Sequence, residues 1–180
     1  MSCVAKEVKK YLNEFSEIRD VFSGFSGRML GAISCGKRYI GSDINETHVR
    51  ESNEILDWLR VNGDYRKRET ANKTSVTVGD ALTLSGEYEC LLTCPPYEDI
   101  EDWGNPNQAV LTCDEWIDVC IRNFKCKRYV FVVDDKLEKY LPYVINDISN
   151  KGHMGHNQEL IVVIDRDENE IKPYDKDVYN

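Results

Sequence analysis

Short apolar runs alternate with helix-like segments along this chain, and the runs end in an acid, a glycine or a proline. Ile18 to Phe22, Arg38 to Gly41, Val76 to Val78, Tyr88 to Leu92, Tyr129 to Val133 and Leu160 to Ile164 have strand length and little internal alternation. Between them the spacing is helical. Val4, Val8, Tyr11, Leu12 and Phe15 fall on one face, and a second helix spans about Ser26 to Cys35 before Gly36 stops it. Asn45 is a good N-cap for a third, with Val49, Leu56 and Leu59 facing inward. Thr112-Cys113-Asp114-Glu115 fits the capping box, with Trp116, Cys120 and Phe124 behind it. Unalternated strands separated by helices predict a parallel sheet covered on both faces, a three-layer α/β domain. Such sheets receive ligands beyond the carboxyl ends of their strands.

The polar, basic stretch Asn62 to Lys73 reads as a loop, and Asp135 to Ser149 as a helix that Pro142 breaks or restarts. The domain is expected over residues 1–165, followed by a loose acidic tail over 166–180. A chain of 180 residues, 41% hydrophobic and 31% charged, suits one globular domain and excludes a disordered or collagenous one. Its longest aliphatic run, Leu160 to Ile164, is far below the ~20 residues of a membrane span, and the N-terminus carries no secretory signature. Seven scattered cysteines, with no CxxC and no Cys/His spacing for zinc, read as reduced thiols of a cytoplasmic protein without a metal site. His153 and His156 stand three apart in a glycine-bearing loop and are expected to be exposed loop residues. Net charge is −9, but residues 74–121 hold ten acids and no Lys or Arg. The basic residues gather at Arg60, Arg66, Lys67, Arg68 and Lys73, and again at Arg122, Lys125, Lys127 and Arg128.

The chemistry-bearing residues fall at the strand ends. Asp20-Val21-Phe22-Ser23-Gly24-Phe25-Ser26-Gly27 forms the first strand-to-helix turn, where glycines let a ligand approach the backbone and the helix N-terminus offers N–H groups. Its GxxG spacing is not that of dinucleotide binders, and a plain tight turn is the competing reading. Asp43, with Ile44 after it, ends the second strand, where an acid can accept from both ribose hydroxyls of a nucleoside. Asp80 and Ala81 follow the third strand, placed to meet an adenine amino group. The fourth strand ends in Thr93-Cys94-Pro95-Pro96-Tyr97, a rigid turn with an aromatic able to stack on a planar ring.

The series FSGFSGR, YIGSDIN, GDA and TCPPY resembles the S-adenosylmethionine-dependent DNA amino-methyltransferases that make N6-methyladenine or N4-methylcytosine. TCPPY is similar to the family's TSPPY form, and the resemblance covers roughly residues 18 to 164. It implies a Rossmann-like class I methyltransferase sheet, mostly parallel with an antiparallel last strand, and S-adenosyl-L-methionine as cofactor. By that resemblance Asp20, Phe22, Gly24, Phe25 and Gly27 belong to the turn around the methionine half. Asp43 and Ile44 would hold the ribose side, and Asp80 and Ala81 would lie by the adenine. Thr93, Cys94, Pro95, Pro96 and Tyr97 would form the catalytic segment that receives a base flipped from the stack.

Two departures accompany the resemblance. Cys94 stands where the family has an acid, amide or hydroxyl, and a thiol is a poor acceptor, so Thr93 or a backbone carbonyl is a candidate substitute. A C5-cytosine nucleophile is disfavoured, because those enzymes place the cysteine after the proline. No segment remains for target recognition, so a homodimer, a separate recognition subunit or an RNA substrate would ease binding of nucleic acid, with DNA expected first. Trp103 could stack or anchor a lid, and Arg66-Lys67-Arg68 could touch phosphates or simply face solvent.

Overall fold

The computed structural model describes residues 9–96, 111–133, 136–148, 159–167 and 170–174. Eight strands form one sheet: β1 (Glu17–Asp20), β2 (Arg38–Asp43), β3 (Ser75–Val78), β4 (Gly86–Thr93), β5 (Phe124–Val133), β6 (Val144–Ile148), β7 (Glu159–Asp167) and β8 (Glu170–Pro173). Their order is β3-β2-β1-β4-β5-β7-β6, with β8 paired to β7. The pairings from β3 through to β5 are parallel, whereas β7 runs antiparallel to β5, β6 and β8. This is the expected α/β sheet with its late reversed strand. Helices α1 (Gly27–Ser34), α2 (Glu46–Asn62), α3 (Tyr65–Lys73) and α4 (Cys113–Asn123) connect the strands, and a 3-10 turn spans Leu141–Tyr143.

Strand side chains divide by parity between two cores, because successive Cβ atoms leave opposite faces. Ile18, Cys90, Leu92, Val130, Val132, Ile161 and Val163 pack with Met29 and Ile33 of α1 and Val49, Leu56 and Leu59 of α2. Leu91, Tyr129, Phe131, Val133, Leu160, Val162 and Ile164 pack with Trp116, Ile117 and Cys120 of α4. Burial on both sides explains why these strands lack a polar alternate, and it confirms the three layers. The caps are where the sequence put them. Asn45 accepts from Thr47 N and His48 N, and Thr112 and Glu115 close a full capping box.

Three segments differ from expectation. Residues 65–73 are helical although no apolar stripe marks them. Asp64 caps the helix, Glu69 pairs with Lys73 at 2.7 Å, and only Thr70 and Ala71 are buried. Residues 144–148 extend as β6 on the edge of β7 rather than continuing a helix, so the hairpin is completed from a stretch with no strand periodicity of its own. In the stretch expected to be a loose tail, residues 170–173 pair as β8 with β7, and the Tyr174 ring sits edge-on to Tyr11 at 5.4 Å. Arg128, 2% exposed, joins the segment before β1 and the residue after β8 to the sheet. It chelates Asp165 at 2.6 and 3.0 Å, donates to Glu14 and to the Tyr11 carbonyl, and lies 4.7 Å over Tyr174.

Candidate functional site

The carboxyl ends of β1, β2, β3 and β4 bring the four motifs together. The turn after β1 needs left-handed backbone at two positions, Gly24 (φ 52°) and Ser26 (φ 66°). Gly27 is instead the first residue of α1, with open space around it. The turn therefore depends on Gly24 and Ser26, and Ser26 is a non-glycine residue in a region that costs of order 1–3 kcal/mol unless its surroundings hold it. Its hydroxyl, 2.6 Å from Ser52 Oγ of α2, is part of that hold.

Asp43 is 7% exposed and accepts from Gly24 N at 2.8 Å and Asn45 N at 2.9 Å. A carboxylate has about four acceptor sites, so among the described residues Asp43, with His48 Nδ1 3.8 Å from its Oδ1, keeps capacity of the kind that ribose hydroxyls would use. The Asp43 carbonyl accepts from Gly79 N at 3.0 Å, which draws the third motif to the second. Asp80 accepts from Leu82 N at 2.9 Å and turns the chain back. Ala81 points into the core, with its carbonyl taking a bond from Asn123. The apolar surface at this end is supplied by Ile44, Val78 and Leu82, all exposed, and by Phe25, 79% exposed and tilted over His48 at 4.4 Å. Phe22 packs edge-on against Trp116 at 5.0 Å.

Asp20 does something other than contact a ligand. It is wholly buried, and both its oxygens are saturated. Oδ1 accepts from Thr93 Oγ1 at 2.7 Å and Phe22 N at 3.1 Å, while Oδ2 accepts from Arg28 Nε at 2.6 Å and Tyr39 Oη at 2.7 Å. The Tyr39 ring reaches it by lying across Gly41, where a Cβ would come within 2.7 Å of that ring. Burial and the neighbouring carboxylate push the Tyr39 phenol far above its usual range, so it remains a donor. Asp20 thus ties β1, β2, α1 and β4 into one cluster. The same bond removes Thr93 as a substitute acceptor, because its hydroxyl is fully buried and donates inward. Cys94 is half-buried, Pro95 buried and Pro96 half-buried at the end of β4. Tyr97, Trp103, His153 and His156 lie outside the described residues.

Arg28, Ser26, His48 and Leu82 belong to this site and were not singled out from the sequence. Only FSGFSGR, where Arg28 follows the glycine turn, carried a local hint. Among the described residues no cluster of His, Cys, Asp and Glu could hold a metal, and no disulfide forms. No described helix is long and apolar enough to cross a membrane. In the basic run Lys67 pairs with Asp64 at 2.9 Å and Arg66 donates to the Cys35 carbonyl, while Arg66, Lys67 and Arg68 all remain exposed.

The residues at the carboxyl ends of β1 and β2 suit an adenosyl ligand. Ser23 is 2% exposed and its Oγ has no partner among the described residues, an orphan polar atom inside the glycine turn. The remaining acceptor capacity of Asp43 beside exposed Ile44 and Leu82 matches a ribose next to a purine face.

No protein-family model matches the chain, and no curated protein matches it in sequence. Solved structures do match in shape. The "putative methyltransferase" YhhF of Escherichia coli aligns with TM-score 0.63 at 12% identity over 93% of this chain and 89% of that one. A "putative RNA methyltransferase" from Pyrococcus horikoshii aligns with TM-score 0.63 at 13% identity, over 91% and 83%. Magnesium protoporphyrin IX methyltransferase from Synechocystis, solved with bound S-adenosylmethionine, gives TM-score 0.63 at 13% identity, over 91% and 78%. At such identities the likeness is one of fold, and the fold is the Rossmann-like one of methyltransferases.

Proposed function

We propose that the chain binds S-adenosyl-L-methionine and transfers its methyl group to an exocyclic amino group of a nucleic-acid base, in DNA before RNA. The observation that carries this is the Asp20 cluster, which locks the glycine turn to the start of the TCPPY segment through Thr93 and Arg28. A cofactor seated in the turn would have its reactive end against Cys94 and Pro95. When bound, its sulfonium supplies an activated methyl: the C–S pair returns to sulfur, the amine nitrogen forms the new C–N bond, and the amine then sheds a proton. The chain need only hold the amine in line and accept from it. With Thr93 turned inward, the acceptors left are the Cys94 sulfur and the carbonyls beside two prolines that donate nothing back.

Labelled methyl transfer to DNA and RNA oligonucleotides, followed by nucleoside analysis, tests the reading. N4-methylcytosine or N6-methyladenine is the expected product. Cys94→Ser should keep or raise the rate, since a hydroxyl accepts better than a thiol, and Cys94→Ala should be the slower of the two. Equal death of both variants would instead mark a nucleophilic cysteine. No transfer by the parent chain to any substrate would leave a cofactor-binding scaffold.

A further inference from the structure

One charged side chain in the cluster has donors that the cluster does not use. Arg28 stands on the first turn of α1 with 27% of its side chain exposed. Nε donates to Asp20 Oδ2 at 2.6 Å, and Nη2 donates to the Phe22 carbonyl. Both bonds lie on one edge of the guanidinium plane. An arginine has five N–H donors in a fixed fork, so three remain here, on Nη1 and the outer side of Nη2. No described residue accepts from Nη1. The first turn of α1 contains no acid to turn the fork aside. Burial opposes the charge on Arg28, but Asp20 holds its pKa above the ordinary arginine value. Cys94, at the end of β4, lies within electrostatic reach of the guanidinium.

A planar pair of parallel donors matches a carboxylate in bidentate geometry, which an ammonium cannot reproduce. S-adenosylmethionine has one anionic group, the α-carboxylate of its methionyl end. We infer that Arg28 anchors that carboxylate through its Nη1/Nη2 edge, while Asp20 acts as the positioning residue on the opposite edge. The inference rests on the cofactor reading above and deepens it: the chain selects a cofactor with an intact amino-acid end. Asp20 keeps the arginine in place without quenching it, because the carboxylate's charge is shared with Tyr39, Thr93 and Phe22 N.

The test compares S-adenosylmethionine with decarboxylated S-adenosylmethionine, which lacks only the group in question, by calorimetry on the purified chain. The parent should prefer the intact cofactor by about 10- to 100-fold, the range of a charge-assisted pair of hydrogen bonds. Arg28→Met should erase that preference by weakening the intact cofactor alone, with the decarboxylated one unchanged or slightly tighter. Arg28→Lys should retain part of it, since charge survives but the fork does not. Equal weakening of both ligands in Arg28→Met would overturn the anchor and show a role confined to shaping the turn. Equal affinity of the parent for both ligands would overturn it too, while leaving the cofactor reading intact. Binding of neither ligand by the parent would remove the cofactor reading, and the anchor with it.

Discussion

The two ends of this sheet are finished in opposite ways. At the amino end polar groups are closed against one another. The buried Lys37 ammonium accepts nothing and donates to the carbonyls of Leu12, Asn13 and Phe15, capping the helical residues 9–12. Arg60 donates to the Ala71 and Thr74 carbonyls, and Arg38 joins Glu17 and the Lys73 carbonyl. At the carboxyl end they are left open: Ser23 Oγ has no partner among the described residues, Asp43 keeps acceptor capacity, and Arg28 keeps a fork unspent. Exposed apolar groups do not separate the ends, since Trp58, Val61 and Tyr65 are exposed on α2 and α3 as Phe25 and Ile44 are at the carboxyl end. Unsatisfied polar capacity is greater at the carboxyl end, although Arg166 Nε, near the start of β5, is also without a partner among the described residues. Buried polar groups are normally paired, so the places where pairing stops are where a ligand is expected to complete it.

The contrast can be broken at either end. Asp20→Ala should have the largest effect, because it strands the Arg28 charge and the Tyr39 and Thr93 hydroxyls inside the protein. A loss of ~3–5 kcal/mol in chemical denaturation is expected, together with loss of cofactor binding. A loss below ~1 kcal/mol would show that the cluster is not what joins the motifs. Next is Asp43→Ala, which removes the partner of Gly24 N as well as the proposed ribose acceptor. Cofactor affinity should fall about 10- to 100-fold by calorimetry, with a stability cost of ~1–3 kcal/mol. Lys37→Met sharpens the comparison from the closed end. It should cost ~1–3 kcal/mol in the same denaturation experiment and leave the cofactor dissociation constant within about twofold.

The smallest effect is alkaline. Burial pushes the Cys126 thiol up from 9.0 to about 12 and the Tyr129 phenol up from 10.0 to about 12. Both stay protonated in the folded chain while the unfolded chain ionises, so the unfolded state binds fewer protons above pH ~9 and stability falls as pH rises. The loss should develop between the ordinary values and about 12. Denaturation midpoints that stay level from pH ~8 to pH ~11 would contradict the burial of these two groups.

Where local chemistry and tertiary packing agree, the chain is readable. Asn45 and Thr112 satisfy N–H groups a few residues away, so their helices are visible without any partner. The strands buried on both faces are visible as apolar runs. The helix over 65–73 is not, because a helix buried only at Thr70 and Ala71 has no stripe to display. Its one local sign was the Asp64 cap with the Glu69–Lys73 pair behind it. Residues 144–148 failed for a different reason: Val144 to Ile148 takes its extended form from the open edge of β7, which lies in sequence beyond it.

The candidate site divides along the same line. By itself the sequence determined the order of strands β1 to β5 and of helices α1, α2 and α4, the acids and glycines at their ends, and the proline-rich segment after the fourth strand, since each depends on nearest neighbours. Only the tertiary structure decided what those residues do. Asp20 stands in a turn that reads as cofactor-binding, yet four donors from the turn after β1 and from β2, α1 and β4 fill it. Thr93 stands in a segment that reads as catalytic, yet its hydroxyl turns inward to that same carboxylate. Arg28 carries the unused donors, and its place after the glycine turn was only a hint of that. A hydrogen bond between residues 73 positions apart has no local signature, because which lone pairs remain open depends on which distant donors the fold delivers.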